Sequence, residues 1–254
     1  MNNRESIITV KHMFKRFGSF TANNDLTFDV YKGEIFGFLG ANGAGKTTAI
    51  KILCGLSKPT SGEIKVAGFD VYRQTEKIKL NIGYMSQRFS LYEDLTILEN
   101  IRFYAGIYGL SNKVIRERSE ILLNRLNIFD MKDKLVKDVP LGWKQKLAFS
   151  IAGIHEPKII FLDEPTGGVD PITRRQFWTL IYETASKGTT VFVTTHYMDE
   201  AEYCNRVSIM VDGRIVALDN PEQLKRTYSV ESMQDVFLKL ARYQEMPKVK
   251  RNVN

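Results

Sequence analysis

The sequence predicts an α/β fold, a mostly parallel sheet flanked by helices and interrupted by a helical subdomain. Three observations carry this expectation. The apolar run Glu34-Ile35-Phe36-Gly37-Phe38-Leu39 leads into the glycine-rich stretch Gly40-Ala41-Asn42-Gly43-Ala44-Gly45-Lys46-Thr47, which is followed by a helical pattern from Thr47 to Cys54. Strand and helix patterns alternate again from Lys158 onward. Between these two regions, Leu95 to Leu147 switches to helical periodicity.

Taken in order, Ile7 to Lys11 and Leu26 to Tyr31 read as short strands by alternation and β-branched content. The strand feeding the glycine-rich stretch comes next. Gly62-Glu63-Ile64-Lys65-Val66-Ala67-Gly68 is a further strand between glycine turns, and Ile82-Gly83-Tyr84-Met85-Ser86-Gln87 is a strand that leaves this part of the chain. In the helical region Ile97, Ile101, Tyr104, Ala105 and Tyr108 share one side, and a charged helix from Asn112 to Leu126 follows. The last part predicts a strand over Ile159 to Leu162, a helix over Pro171 to Ala185, a strand over Thr189 to Thr194 and a helix over Tyr197 to Tyr203. There is no internal repeat and no low-complexity segment.

Composition narrows the class. A chain of 254 residues can bury a sizeable core in one or two domains. Its 43% hydrophobic and 26% charged residues are ordinary for a globular protein and exclude a disordered one. The net charge of +7 is compatible with nucleic acid, an anionic membrane surface or a nucleotide pocket, and sign alone does not separate them. Part of the excess is local, because the tail after Phe237 sets Lys239, Arg242, Lys248, Lys250 and Arg251 against Glu245, the pattern of a solvated tail. Cys54 and Cys204 lack the paired spacing of a metal site and fit a reducing cytoplasm. Met1 to Ser6 lacks a signal-peptide pattern, and no run of about 18 apolar residues exists to span a bilayer. Service to a membrane is therefore expected to run through a partner.

The stretch from Gly40 to Thr47 matches G-x-x-x-x-G-K-[ST], and its strand-before, helix-after context is the one this phosphate-binding loop requires. Glycines let backbone N–H groups converge on phosphate oxygens, and the helix behind offers its partly positive end to the same anion. Lys46 is placed to reach the β and γ phosphates and Thr47 to offer a hydroxyl to magnesium. A glycine-rich turn with no ligand is the plain alternative.

Lys158-Ile159-Ile160-Phe161-Leu162-Asp163-Glu164 is an apolar strand ending in two carboxylates, which a parallel sheet delivers to its C-terminal edge. Asp163 is expected to hold magnesium and Glu164 to polarise the water that attacks the γ phosphate. Val191-Phe192-Val193-Thr194-Thr195-His196 delivers one imidazole to the same edge, within reach of the γ phosphate and that water. His12 and His155 have no such context. Gln87 is placed to touch magnesium and the attacking water and to withdraw when the helical region moves; an exposed glutamine at a strand end is the alternative.

With these residues in hand, the chain resembles the ATP-binding subunit of an ABC transporter over nearly its whole length. The match rests on Gly40 to Thr48, Gln87, Lys144-Gln145-Lys146-Leu147, Asp163 to Asp170, and His196 followed by Met198-Asp199-Glu200-Ala201-Glu202. The resemblance implies a P-loop NTPase core with a mostly parallel sheet, an antiparallel β subdomain and an inserted α-helical subdomain. Its implied boundaries are an ATPase domain over 1–230, with core 1–87 and 158–230 and insert about 88–157, then a C-terminal helix and basic tail over 231–254. It also implies a head-to-tail dimer that sandwiches two ATP molecules, homomeric or with another ATP-binding subunit. The nucleotide-binding set is then Phe17, Gly40, Asn42, Gly43, Ala44, Gly45, Lys46, Thr47 and Thr48. The catalytic set is Glu164, His196 and Gln87, and the magnesium set Thr47, Gln87 and Asp163. Phe17 matches the aromatic on which such proteins stack adenine, with a core phenylalanine as the alternative.

One segment departs from the family. Where its members usually read LSGGQ, this chain reads Val139-Pro140-Leu141-Gly142-Trp143, in the register fixed by Lys144 to Leu147 and by the distance to Asp163. Pro140 then replaces the serine that contacts the partner's γ phosphate and offers neither hydroxyl nor N–H. Gly142, with the helix end behind it, and Asp170 remain as the contacts in trans. Pro140 also suits the turn into a helix. Position 167, often serine in the family, is glycine here.

The resemblance further implies ATP hydrolysis with Mg2+ as cofactor, at the cytoplasmic face of the cell membrane. The work drives a separate transmembrane permease, docked near Gln87 to Tyr108 where Phe89, Leu91, Tyr92, Leu95 and Leu98 are apolar, about half of them equally readable as core. Leu91 to Thr96 with Glu99-Asn100, and Ser232 to Phe237, are similar to the export branch. No nucleic acid partner is expected. Two rivals are a soluble ABC protein acting on ribosomes or DNA, which usually has two ATP domains or coiled-coil insertions, and a module that closes on ATP without hydrolysing it.

Overall fold

A computed structural model describes residues 5–87 and 91–245, with side chains described to residue 241. Phe89 and the tail residues Lys248, Lys250 and Arg251 lie outside the described residues, as do the side chains of Arg242 and Glu245.

The chain opens with two long strands, β1 (Ser6–Phe17) and β2 (Phe20–Tyr31), each extending well beyond the span that alternation predicts. β3 (Ile35–Gly40) feeds the glycine-rich loop and α1 (Lys46–Leu53) leaves it. Then come β4 (Ser61–Val66), β5 (Phe69–Asp70), α2 (Thr75–Asn81) and β6 (Ile82–Met85). The helical region holds α3 (Ile97–Ile107), α4 (Asn112–Arg125) and α5 (Leu141–Ala152). The chain then alternates through β7 (Ile159–Asp163), α6 (Pro171–Ser186) and β8 (Thr190–Thr195). It ends with β9 (Arg206–Val211), β10 (Arg214–Asp219), α7 (Pro221–Thr227) and α8 (Met233–Glu245). The predicted helix over Tyr197 to Tyr203 is a 3-10 turn, Met198–Tyr203.

Two sheets form. One is antiparallel, in the order β2-β1-β4-β5; the other runs β10-β9-β3-β8-β7-β6. In the second sheet every pairing from β9 to β6 is parallel, and only β10 runs against its neighbour. β3, β7 and β8 are buried at every residue, as parallel strands covered on both faces must be. Alternate residues divide between two cores. Phe36, Phe38, Phe161 and Phe192 face the antiparallel sheet and α1, while Leu39, Ile160, Leu162, Val191 and Val193 face the helices.

Aromatic packing fastens the two sheets together. Phe28 on β2 lies with its ring centroid 5.7 Å from Phe36, 5.6 Å from Phe38 and 6.4 Å from Phe192. Phe192 also meets Phe161 at 5.4 Å. Truncating such a residue to alanine typically costs about 3–5 kcal/mol, so this cluster fixes the bed on which the glycine-rich loop rests.

Candidate functional site

Four parallel strands end at one edge of the sheet, and each hands over a predicted site segment. β3 ends in the loop Gly40 to Thr47, β8 precedes His196, β7 ends at Asp163 before Glu164, and Gln87 follows β6 by two residues. Because the strands are neighbours in the order β3-β8-β7-β6, residues far apart in sequence meet there. Gln87 lies beyond the strand it was expected to end.

The loop's shape is set by residues other than its own. Gly43 and Gly45 have φ of +83° and +100°. A Cβ on Gly45 would run into the Ala22 carbonyl oxygen and lie 2.8 Å from Asn23 Nδ2. The buried Asn23 amide donates to the Gly45 carbonyl at 3.0 Å. Ala44 is buried, Asn42 is exposed at the loop tip, and Thr48 lies in the first turn of α1.

Lys46 folds back over the loop. Its ammonium donates to the carbonyls of Gly40 at 2.8 Å and Ala41 at 3.1 Å, and lies 3.3 Å from Glu164 Oε1. Both side chains are nearly sealed, at 4% and 9% exposure. The other carboxylate oxygen of Glu164 accepts from Gln87 Nε2 at 3.0 Å and from His196 Nδ1 at 3.0 Å. A carboxylate only accepts, so Nδ1 carries a proton. Gln87, Glu164 and His196 thus converge, and with Gln145, Gly167, Gly168 and Tyr197 they line a cavity of about 310 Å³.

Asp163 stands beside this cluster at 1% exposure. Its Oδ1 accepts from Thr194 at 2.6 Å and from the Thr47 hydroxyl at 3.4 Å. A hydroxyl and a carboxylate converging at the edge of the loop are hard oxygen donors, the set that fits Mg2+. Gln87 is held by Glu164 rather than by Thr47 or Asp163. Among the described residues no group of three or more His, Cys, Asp or Glu side chains forms a metal site.

Phe17 ends β1 and is 54% exposed, under the Lys15 ammonium at 4.7 Å. It is not a core residue, so the core alternative is closed.

The predicted trans contacts lie apart from the loop. Gly142, Asp170, Pro140, Leu141, Trp143, Lys146, Gly168 and Thr173 line a second hollow of about 360 Å³, shared with no residue from Gly40 to Thr48. Pro140 is the N-cap of α5, and its carbonyl accepts from Trp143 and Lys144 at 3.0 Å each. The first-turn N–H groups of Leu141 and Gly142 stand outside the helix ladder. Asp170 caps α6, accepting from the Ile172 and Thr173 N–H groups at 3.0 Å and from the Thr173 hydroxyl at 2.6 Å. The Thr173 bonds hold its carboxyl below the ordinary carboxylate range. Gly142 packs so closely on α6 that a Cβ would sit 2.5 Å from Thr173 Cγ2.

The apolar docking residues divide. Leu91 is buried, Leu95 and Leu98 are half-buried with Leu98 packed on the core, and Tyr92 is exposed with its ring 4.9 Å from Phe103. A groove of about 310 Å³ does open there, lined by Leu56, Tyr84, Leu91, Tyr104, Ile107 and Tyr108 among others. Ile107 falls within the predicted stretch Gln87 to Tyr108, whereas Leu56 and Tyr84 come from two other segments that only the fold brings to it.

The sequence matches the family described as ABC transporter over residues 23–167. It is 44% identical over 237 residues to the "Probable multidrug ABC transporter ATP-binding protein YbhF" of Escherichia coli (strain K12), covering 93% of this chain. This chain spans 41% of the length of that relative. Among solved structures it is similar to one titled "Structure of ATP binding subunit of ABC transporter", with a TM-score of 0.84 and 29% identity, covering 93% of this chain and 100% of the other. It is also similar to the "Dimeric structure of a post-hydrolysis state of the ATP-binding cassette MJ0796 bound to ADP and Pi", with a TM-score of 0.76 and 25% identity over 84% of this chain and 98% of the other.

Proposed function

The chain belongs to the ABC transporter family as an ATP-binding domain, and on that premise we propose that it hydrolyses ATP to ADP and phosphate to drive a separate transmembrane permease. The observation that carries this reading is the Glu164 carboxylate, held at once by Lys46, Gln87 and His196 at the mouth of the phosphate loop.

In the proposed reaction the loop Gly40 to Thr48 binds the triphosphate through backbone N–H groups, and Phe17, exposed at the end of β1, stacks on the adenine. Lys46 leaves Glu164 for the β and γ phosphates. Glu164, freed of the ammonium, orients the attacking water and accepts its proton. His196 Nδ1 remains on Glu164, which turns the opposite ring nitrogen toward the γ phosphate. Gln87 senses the same carboxylate from the side of the helical region. Thr47 and Asp163 would hold Mg2+, with Gln87 joining them on release from Glu164. When bound, that ion neutralises charge on the phosphates and so lowers the cost of forming the transition state.

The second half of the site is supplied in trans by a second ATP-binding subunit, of this chain or another. Gly142, with the first turn of α5, and Asp170 face that partner. The solved dimer to which the chain is similar held ADP and Pi. No helix among the described residues is long and apolar enough to cross a membrane. The apolar groove beside α3 suits the permease as a docking place for a helix. The reading places the protein peripherally, on the cytoplasmic face. Export is the proposed direction, supported by the Leu91 to Thr96 and Ser232 to Phe237 segments and by the multidrug relative.

Pro140 favours one second reading, a nucleotide switch that closes on ATP without turning it over. Phosphate release with MgATP decides between them. Hydrolysis is expected, with loss of at least about a hundredfold in Glu164→Gln while ATP binding persists. Binding without turnover, in the chain alone and with its permease, would establish the switch.

A further inference from the structure

Glu200 is a fully buried carboxylate that the proposed reaction does not use. It lies in the 3-10 turn Met198–Tyr203, four residues after His196. Its Oε1 accepts the Thr166 hydroxyl at 2.5 Å and stands 3.6 Å from Arg174 Nε. The Arg174 guanidinium lies 4.2 Å from the centre of the Tyr197 ring, and that ring is 4.2 Å from the imidazole of His196. One carboxylate therefore joins the loop after β7, the first turn of α6 and the loop after β8.

The loop after β7 has a reason to need such a tie. Glu164 has φ of +50°, a conformation that side-chain-bearing residues rarely adopt and that persists only where the surroundings over-determine it. On its N-terminal side the Glu164 N–H donates to the carbonyl and the hydroxyl of Thr194, at 3.1 Å each. On its C-terminal side the Glu164 carbonyl accepts from Gly167 at 3.2 Å, and Thr166, inside that small turn, is the residue Glu200 binds.

The tie is also poor as a device for stability. Glu200 Oε2 and Arg174 Nε are buried without hydrogen-bond partners. A buried ionic group left this incompletely paired is generally less stabilising than an apolar side chain of similar size. Its value lies in where it holds Thr166.

We infer that Glu200, assisted by Arg174, is a positioning residue that keeps the Glu164 carboxylate against His196 by fastening the turn Glu164–Gly167 to the loop that carries the imidazole. This rests on the ATPase reading. Loosening the tie lets the carboxylate drift from the line of attack, and a displacement of about 1 Å in such a site can cost a hundredfold in rate.

Thr166→Val removes the hydroxyl at nearly constant shape, Glu200→Ala removes the carboxylate, and Glu200→Gln keeps an oxygen to accept from Thr166. The first two are expected to lower kcat by about tenfold to a hundredfold with KM for MgATP within about twofold, and Glu200→Gln to recover most of the loss. The imidazole resonances of His196 are expected to move in Thr166→Val toward their positions in Glu164→Gln, where the partner carboxylate is gone. Wild-type kcat in folded Thr166→Val, or unmoved His196 resonances, overturns the inference. If Glu200→Ala does not fold, Thr166→Val carries the test. If Glu164→Gln leaves turnover intact, the catalytic role given to Glu164 in the ATPase reading fails by itself, and the His196 resonances alone decide the positioning claim.

Discussion

Lys46 Nζ lies 3.3 Å from Glu164 Oε1, an ion pair nearly sealed from solvent between the phosphate loop and the end of β7. In the proposed reaction the same ammonium serves the β and γ phosphates, so nucleotide binding must compete with Glu164 for it. Lys46→Ala is expected to weaken ATP binding by tenfold or more, about 1.4 kcal/mol. Glu164→Gln, which releases the ammonium, is expected to bind ATP at least as tightly as the parent. Titration calorimetry on the two variants checks both, and unchanged affinity in Lys46→Ala would discredit the role given to the loop.

His196 donates through Nδ1 to Glu164 at 3.0 Å, so the imidazole and the carboxylate work as one unit. Removing the ring in His196→Ala is expected to lower kcat by about a hundredfold, the usual worth of one positioned proton-handling group, with little change in ATP affinity. Stopped-turnover assays beside equilibrium binding separate the two effects. Equal losses in both would make His196 a binding residue instead.

Gly142 leaves no room for a side chain against Thr173, and Thr173 is itself bonded to Asp170. In Gly142→Ala the threonine must turn, which breaks its hydroxyl bond to Asp170 and disturbs both proposed trans contacts together. Overpacking of this kind costs about 1–3 kcal/mol. Thermal unfolding is expected to show that loss. ATP binding to the isolated subunit should persist while turnover falls, and a fall in both would place the defect elsewhere.

His155 stacks on Tyr108 with ring centroids 3.5 Å apart and donates Nε2–H to the Ile82 carbonyl at 3.0 Å. Burial lowers its pKa to about 4 from an ordinary 6.5. Between pH 6.5 and 4 the unfolded chain binds a proton that the folded chain refuses, so the stability is full above pH 6.5 and lost as the pH falls toward 4. The loss is on the order of 2 kcal/mol after allowance for partial exposure. His155→Gln is expected to flatten denaturation midpoints across that window; a slope identical to the parent's would refute the assignment.

Much of this fold was legible because parallel strands announce themselves. β3 and β7 are apolar runs that lead into site residues, β8 has the apolar centre Val191-Phe192-Val193 just before His196, and α4 and α6 carry helical periodicity within one or two residues of their observed bounds. β9 and β10 escaped: β9 mixes Arg206 and Ser208 into its run, and β10 is only half-buried at an edge, so neither has a clean period. The extra length of β1 and β2 escaped for a related reason. Register shifts at Val10/Met13 and beyond interrupt the alternation on which a strand reading depends.

Within the site, the residues at strand ends could be named from sequence, but their present partners could not. That Lys46 rests on Glu164, that Asn23 from β2 braces Gly45, and that Glu200 reaches Thr166 are contacts across 118, 22 and 34 positions, set by sheet order rather than by local pattern. Pro140 was readable as a helix-entry residue, and it caps α5. What it withholds from a partner subunit is chemistry that no single chain displays.

The central claim is that two ATP-binding subunits complete one hydrolytic site despite Pro140. The most direct measurement is the steady-state rate of ATP hydrolysis by the purified chain, with magnesium, against protein concentration. The account predicts a rate that rises more steeply than linearly and disappears in Glu164→Gln. A rate strictly proportional to concentration from the lowest protein levels, still abolished by Glu164→Gln, would mean that one copy suffices and would contradict the role given to Gly142 and Asp170.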